Sequence, residues 1–536
     1  MPDLWGTTRA GSFGFNDVAT GRGFGLAALL MGWVNTANVN SGFTSARMNY
    51  FAGYFHDDWK LHPRLTINWG IRWEMDTPRS EKNNEQTGFD PYAINPVSGT
   101  PGAITYAGRD GVSAYAHSFD KNNFGPRFGF AYRPFDDKTV VRGGYGLMYG
   151  PIYDDSITRA NVTGFGDTRQ FQSSNNGLTP AFLLRDGVPS PPTDPIGPGY
   201  GAVRVGTSPT TSPDFYDPNL KATYAHQMNF SIQRQLVGSL LLEAAYTANL
   251  AHKVSGRAIN VNEIRPELRG AVQSQALRPF PQYANVTWRA TNWGNSSYHG
   301  LNLKVEKRYA HGLNVLSNYT WSKFLDDVQS ASDIAGGGPQ SYYARHLDKS
   351  RSGNDIRHRW VSSLVYELPV GRGRGLDIQN RVLDMAFGGW SVGTIAELRS
   401  GLAFGVTEQT NRLNAFSPSQ RPNVVGDWRL SSDRSRAELI SQWFNINAFA
   451  FPGNGVLGNA GRAFMDGPGS IDVDASLLKN FAFSESRYLQ FRAEFFNLPN
   501  RPNFGLPNRA RGAAAFGSIG SAVAGRHVQL GLRLVF

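Results

Sequence analysis

Apolar and polar positions alternate with period two from one end of the chain to the other. In residues 65–74, Leu65, Ile67, Trp69, Ile71 and Trp73 fall on one side, and Thr66, Asn68, Gly70, Arg72 and Glu74 on the other. Successive side chains of a strand point to opposite faces, so this segment predicts a strand with one apolar and one polar side. The pattern returns in Leu301, Leu303 and Val305 against Asn302, Lys304 and Glu306. It returns again in Leu489, Phe491, Ala493 and Phe495 against Tyr488, Gln490, Arg492 and Glu494, and around 224–235. Arg72, Glu74, Lys304, Glu306, Arg492 and Glu494 all sit mid-strand. In a dry sandwich core such charges are costly, whereas on the wet side of a barrel wall they are not. These six are the candidate lumen-facing polar residues.

Read this way, the chain predicts about fourteen strands, near 11–18, 46–60, 64–76, 124–134, 138–150, 221–236, 239–250, 296–309, 313–325, 354–368, 389–405, 469–483, 487–499 and 526–536. Most reach the roughly 9–11 residues that a tilted strand needs to cross a bilayer. Their connections alternate in length. Tight turns fall at Leu61–Pro63, Phe135–Asp137, Leu236–Gly238, Ala310–Gly312 and Ser484–Ser486, with 369–388 as an intermediate member of that series. Between them lie the long segments 77–123, 151–220, 251–295, 326–353, 406–468 and 500–525. Outer-membrane barrels have short periplasmic turns and long extracellular loops. With a periplasmic C-terminus, every short turn lies on one side and every long loop on the other. The expected fold is an all-β, antiparallel transmembrane β-barrel. Its last strand alternates Val528, Leu530, Leu532, Leu534 and the terminal Phe536 against Gln529, Gly531 and Arg533. An alternating final strand ending on an aromatic residue resembles the signal read by the barrel-insertion machinery.

Composition agrees with a wall. There are 60 Gly, 30 Pro, 34 Phe, 21 Tyr and 12 Trp in 536 residues, with 40% hydrophobic residues, below the roughly 45–50% of an average globular chain. The net charge of +11 comes from basic residues scattered singly, without the runs or stripes of a nucleic-acid surface. With no cysteine there is neither a disulfide framework nor a thiolate metal site. The longest apolar stretch, Gly25–Val34, is too short for a membrane helix of about 18 residues. Met1–Gly6 has no basic n-region or apolar h-region, so an export signal is expected to be missing from the start. Trp59, Trp321, Trp360 and Trp390 lie toward strand ends, which suits interfacial aromatic girdles as well as simple cross-strand packing.

Several segments resemble the barrel of Oar-like TonB-dependent transporters. Phe55–Glu74 is similar to the family's Q-D-D-W-K-x-x-x-x-L-T-L-N-x-G-L-R-Y-E stretch, with His56 for Gln and Trp73 for Tyr. Further along come Arg278–Tyr283 (RPFPQY), Ser297–Leu301, Glu306–Tyr309, Tyr319–Lys323 (YTWSK), Asp355–Arg359 (DIRHR), Gly388–Trp390 and Phe495–Asn497. The resemblance runs from about residue 43 to the C-terminus. It implies the barrel part of an active importer in the outer membrane of a Gram-negative type of cell, opened by the TonB system. Such a protein has outer-membrane lipid and lipopolysaccharide around it, and a plug domain inside a barrel of about 22 strands. Signal, plug and leading strands are not recognisable here, so the resemblance makes 1–536 a partial receptor barrel that contacts TonB only through a missing N-terminal part.

No catalytic, cofactor or metal site is read. Gly371–Gly375 and Gly197–Gly201 lack phosphate-loop spacing and context. Asp57-Asp58, Asp136-Asp137, Asp154-Asp155 and Asp326-Asp327 are expected at strand ends and turns, as solvated carboxylates without EF-hand spacing. No histidine pair has metal-ligand spacing, and His358 between Arg357 and Arg359 reads as a strand-end residue. The substrate is not legible. Phe215, Tyr216, Tyr342 and Tyr343 could stack on sugars or pack loops together. Two other functions stay open: a passive pore or adhesin on a complete fourteen-strand barrel, and a secreted β-rich carbohydrate binder or glycosidase.

Overall fold

The computed structural model describes residues 11–21, 25–40, 45–152, 162–165, 168–189, 196–256, 258–270, 272–328, 339–483 and 487–536. Where apolar and polar residues alternate, the chain runs as long strands. These are β1 (Tyr50–His62), β2 (Leu65–Asp76), β3 (Asn123–Tyr132), β4 (Thr139–Tyr149), β5 (Tyr224–Gln235), β6 (Leu240–Gly256) and β7 (Thr291–Ala310). The series continues with β8 (Leu313–Asp326), β9 (His358–Glu367), β10 (Trp390–Arg399), β11 (Ser470–Ala482), β12 (Tyr488–Phe496) and β13 (His527–Val535). These thirteen pair antiparallel in strict chain order, and the short strand Ser350–Arg351 adds to the end of β8, making a sheet of fourteen. Among the described residues no helix is long and apolar enough to cross a membrane; strands of this length can.

The expected strand near 11–18 is not in the wall. Only Ser12–Gly14 is extended there, and it pairs with Thr36–Asn40 in a separate sheet that also takes Thr168–Gln172. Phe13 and Phe15 pack with Val34, Ala37 and Phe182, so this segment belongs to a small loop cluster. The edges of the large sheet are therefore β1 and β13. Smaller differences have local causes. β9 starts at His358, not 354, because Asp355 turns back to accept from the Phe324 amide at 2.7 Å and from Arg351 at 2.7 Å. β10 stops at Arg399 because Ala403–Phe404 leaves the wall to pair with Met465–Asp466.

All the short connections lie at one end of the sheet. Between β7 and β8, His311 (φ 55°) and Gly312 (φ 77°) both adopt left-handed conformations, the backbone that a two-residue hairpin turn requires. The 368–389 connection carries a helix, α1 (Arg381–Phe387), whose first amides are capped by the Asn380 side chain at 2.9 and 3.2 Å. The expected turn at Ser484–Ser486 and the acidic pair Asp154-Asp155 lie outside the described residues. Asp136 does cap its turn, accepting from the Lys138 and Thr139 amides. Two acidic pairs depart from expectation: Asp57-Asp58 sits inside β1, and Asp326 is buried against the Arg462 guanidinium.

The apolar core is not in the wall. Phe404, Phe444, Phe449 and Met465 form one buried cluster, Phe89, Ile104, Tyr106, Tyr283 and Val286 a second, and Ile264, Leu413 and Ala415 a third. All belong to the long connections, which fold against one another into a canopy at the other end of the sheet. A strand face that meets lipid needs no protein partner, so the wall stays thin while its loops build the only kind of core they can reach, each other.

Candidate functional site

Directly opposed residues in an antiparallel ladder share a face, so register carries the two faces from strand to strand. Arg72 opposes Gly125, Arg127 opposes Gly146, and the line continues through Gln227, Asn249 and Tyr298. From Asn302 it passes to Thr320, Arg359, Arg399 and Ser470, then from Ser476 to Glu494, with Arg492 opposite Gly531. Arg72, Glu74, Lys304, Glu306, Arg492 and Glu494 thus share one sheet face. Val528, Leu530, Leu532 and Leu534 share the other, with Trp321 and Trp360; Phe536 follows β13 and is almost fully exposed.

The polar face holds its charges in short ladders. Lys304 lies 2.7 Å from Glu306, which also meets Arg308 at 3.3 Å. Arg72 meets Glu74 at 3.3 Å and the Tyr50 hydroxyl at 2.8 Å, and Arg492 donates to Gln490 at 2.6 Å. Arg359 reaches across to Glu397 at 2.9 Å. The face is not uniformly polar: Val365 and Ile395 are exposed on it. Trp390, at the first residue of β10, donates to the Ala386 carbonyl of α1, and Trp360 donates to Ser317.

Above this face the canopy is held by the segment Arg278–Tyr283. Arg278 donates to the Asn262 carbonyl at 2.6 Å and to Asn285 at 2.9 Å, while its guanidinium lies 3.9 Å from the Phe416 ring centroid. Phe280 packs edge-on to Phe89, and Gln282 donates to the Pro101 and Gly102 carbonyls. Tyr283 is fully buried and its hydroxyl accepts from Asn95 at 3.1 Å. Four side chains of this segment thus clamp three long connections. Burial pushes the Arg278 guanidinium down to about 10. Asn497, with φ 51°, closes a local turn after β12, accepting from the Arg501 amide and donating to its carbonyl.

Sequence reasoning missed the buried charges. Arg421 and Asp348 meet at 2.7 Å, both almost wholly buried, and Arg462 pairs with Asp326 while donating to the Asp348 carbonyl. Glu263, fully buried, accepts from the Ser341 hydroxyl at 2.7 Å and the Tyr342 amide at 3.1 Å, with Arg269 3.9 Å away. Arg278 and Arg421 each precede a proline, which restricts their backbone, but nothing local marks Asp348 or Glu263 as buried. The aromatic loop residues pack the canopy: Phe215 stacks on Trp288, Tyr216 is buried, and Tyr342 and Tyr343 meet edge to face.

Below the clamp lies a cavity of about 520 Å³ over the loop ends of β6, β7 and β8. Among the described residues it is lined by Asn260, Trp293, Arg345, Phe416 and Arg462, with the Arg345 guanidinium 3.6 Å from the Trp293 ring centroid. Asp327 and Asp348 line it as well, and Arg462 is already paired with Asp326, so the lining mixes both charge signs with amides and aromatic faces and suits a polar solute. Among the described residues no group of three His, Cys, Asp or Glu could hold a metal ion.

Burial raises the Glu263 carboxyl to about 7, against the pull of its hydrogen bonds and of Arg269. The folded canopy then keeps a proton that the unfolded chain loses near the ordinary carboxyl range. Stability is therefore fully present below that range and falls as pH rises through about 7, by on the order of a few kcal/mol. Limited proteolysis of the canopy should speed up between about pH 5 and pH 8 in the wild type and much less in Glu263→Gln. Equal slopes in the two proteins would remove Glu263 as the cause.

The profile of a family described as "Outer membrane beta barrel domain" matches residues 2–529. No curated protein matches. Among solved structures, the chain is similar to the siderophore receptor PiuA from Acinetobacter baumannii, at 11% identity and TM-score 0.41, covering 94% of this chain and 44% of that one. It is also similar to the ferric yersiniabactin uptake receptor FyuA from Yersinia pestis (12%, 0.41, 94% and 47%). A third is the outer membrane transporter YddB from Escherichia coli (10%, 0.43, 92% and 55%). The chain spans about half the length of these proteins.

Proposed function

The chain belongs to the outer membrane beta barrel domain family, and from that membership we propose that it forms the loop-bearing wall of a TonB-dependent importer. Its short turns lie in the periplasm and its canopy outside. The observation that carries the reading is one continuous polar face crossing the sheet beneath a clamped canopy. A solute would meet the canopy cavity first and then the ladders of Arg72, Glu74, Lys304, Glu306, Arg492 and Glu494 lining the lumen, while Val528, Leu530, Leu532 and Leu534 face lipid and, with Phe536, address the insertion machinery. No covalent chemistry is needed. The Oar-like motifs at Phe55–Glu74, Arg278–Tyr283 and Asp355–Arg359 support the family within TonB-dependent receptors. The exposed Val365 and Ile395 on the polar face are the kind of surface that an inserted plug covers.

The edges argue against a complete passive pore. β1 and β13 both run from the canopy end to the turn end, so joining them would make a parallel seam; an all-antiparallel closure needs an even number of strands. Each unpaired backbone group left in lipid costs several kcal/mol. The wall is proposed to be completed by strands from outside this chain, together with the plug that TonB engages.

Expression behind an export signal, in a host stripped of its own importers, tests this. The chain alone should give leak, read as sensitivity to a glycopeptide antibiotic too large for ordinary pores, and no TonB-dependent accumulation of labelled large solutes. Accumulation that rises with the bare chain and vanishes on TonB deletion would refute the partial-wall reading.

A further inference from the structure

The helix α1, in the connection between β9 and β10 at the turn end of the wall, is apolar where water would be expected to meet it. Val382, Leu383, Met385 and Phe387 are all exposed, Val382 at 70% and Phe387 at 60%. Asp384 is the one residue of the helix that is not exposed, and its carboxylate accepts from the Arg372 amide at 2.8 Å. The helix therefore turns its acidic side chain onto its own connection and leaves its apolar side open. A helix facing water is patterned the other way round.

Two wall side chains place this helix on the outside of the sheet. Trp390 donates to the Ala386 carbonyl at 3.0 Å, and the Lys479 ammonium donates to the Ala386 carbonyl at 3.4 Å and to that of Gly388. Trp390 opposes Lys479, Lys479 opposes Phe491 and Phe491 opposes Leu532, so both lie on the outward face. The free carbonyls at the end of α1 thus receive an ammonium that would otherwise face hydrocarbon. Held there, the open side of the helix continues the apolar surface of Leu530 and Leu532 around the turn end. Arg372 and Arg381 flank it, both exposed, and among the described residues no carboxylate lies within ion-pair distance of either; Arg374 is held by Glu367 at 2.9 Å.

We propose that α1 lies in the plane of the periplasmic leaflet of the outer membrane, at the level of its phospholipid headgroups, as a foot on the lipid side of the wall. Val382, Leu383 and Phe387 enter the first methylenes of the acyl chains, and Arg372 and Arg381 stay level with the phosphates. Apolar side chains bordered by free cations are the pattern of a helix that lies in a membrane interface. The foot sets how deep this side of the wall sits. It rests on the face assignment above but not on how transport is driven, because its readout is depth in the bilayer.

The chain has no cysteine, so single reporters can be placed in it. The test uses the full chain with Val382→Cys or Phe387→Cys, each labelled with a nitrobenzoxadiazole fluorophore and folded into phosphatidylethanolamine–phosphatidylglycerol vesicles. A nitroxide carried near the lipid headgroup should quench both labels more strongly than one carried near the acyl-chain end. Iodide, present on both sides of the bilayer, should quench them about tenfold less than a label at Glu267→Cys in the canopy. A label at Leu530→Cys reports the face assignment separately, and the deeper nitroxide should quench it. If Leu530 is quenched from lipid while either helix label is open to iodide, α1 points into the periplasm and the proposal fails with the face assignment intact. Helix labels shielded from iodide and from both nitroxides would mean that protein covers the helix, which also overturns it. A Leu530 label that neither nitroxide reaches would overturn the face assignment, and the proposal with it.

Discussion

Replacing Asp348 by Ala, with Arg421 left in place, is expected to destabilise the canopy by about 3–5 kcal/mol, because it strands a buried guanidinium. Arg421 is 1% exposed and gives one nitrogen to Asp348 at 2.7 Å and another to the Leu347 carbonyl at 3.3 Å. Its backbone amide is fixed by Gln340, which also bridges to Gly458. Burial pushes the Asp348 carboxyl up to about 6 and the Arg421 guanidinium down, even though each faces its opposite charge. Desolvation therefore outweighs attraction, and the pair is a poor source of net stability but a severe penalty when broken. It follows that Asp348→Leu/Arg421→Met should be milder than either single change. Denaturant unfolding followed by canopy tryptophan fluorescence, arranged as a double-mutant cycle, reads this directly. Single variants within about 1 kcal/mol of the wild type would mean that water reaches the pair.

The wall was legible because a membrane imposes its periodicity on the sequence. Residues 65–74 must alternate for one face to meet lipid and the other water, and β2 occupies Leu65–Asp76. The alternation of short and long connections could likewise be read, since a turn such as Ala310–Gly312 has few ways to close. The segment 11–18 misled because Phe13 and Phe15 alternate locally as a wall strand would, while their partners Val34 and Phe182 are distant in sequence. The canopy was illegible for the same reason. Glu263 finds Ser341, Arg421 finds Asp348, and Arg462 finds Asp326, each across separations that no local pattern records. The segment Arg278–Tyr283 shows the difference most clearly. Its residues stood out in the sequence only through resemblance, whereas in the fold Phe280, Gln282 and Tyr283 reach the connection before β3 while Arg278 reaches Phe416 in the connection before β11, tying the two together.

Leu532→Arg is expected to impair insertion into lipid vesicles by about 2–4 kcal/mol if it sits near the bilayer midplane, whereas Arg533→Leu should be nearly neutral. Leu532 is mid-strand in β13, opposite Phe491 and 70% exposed to its surroundings, so an arginine there would have hydrocarbon and no anion. Arg533 opposes Gln490 on the face of Arg492, where loss of one charge leaves a wetted surface. The comparison weighs more than a single strand, because register ties the faces of all thirteen wall strands together. If Arg533→Leu proved the damaging change, then Arg72, Lys304 and Arg492 would face lipid as well, and Leu65, Leu301 and Phe491 would line the water path. Folding yields measured side by side in vesicles of one composition therefore test the orientation of the whole wall, and a reversed ranking would turn it inside out.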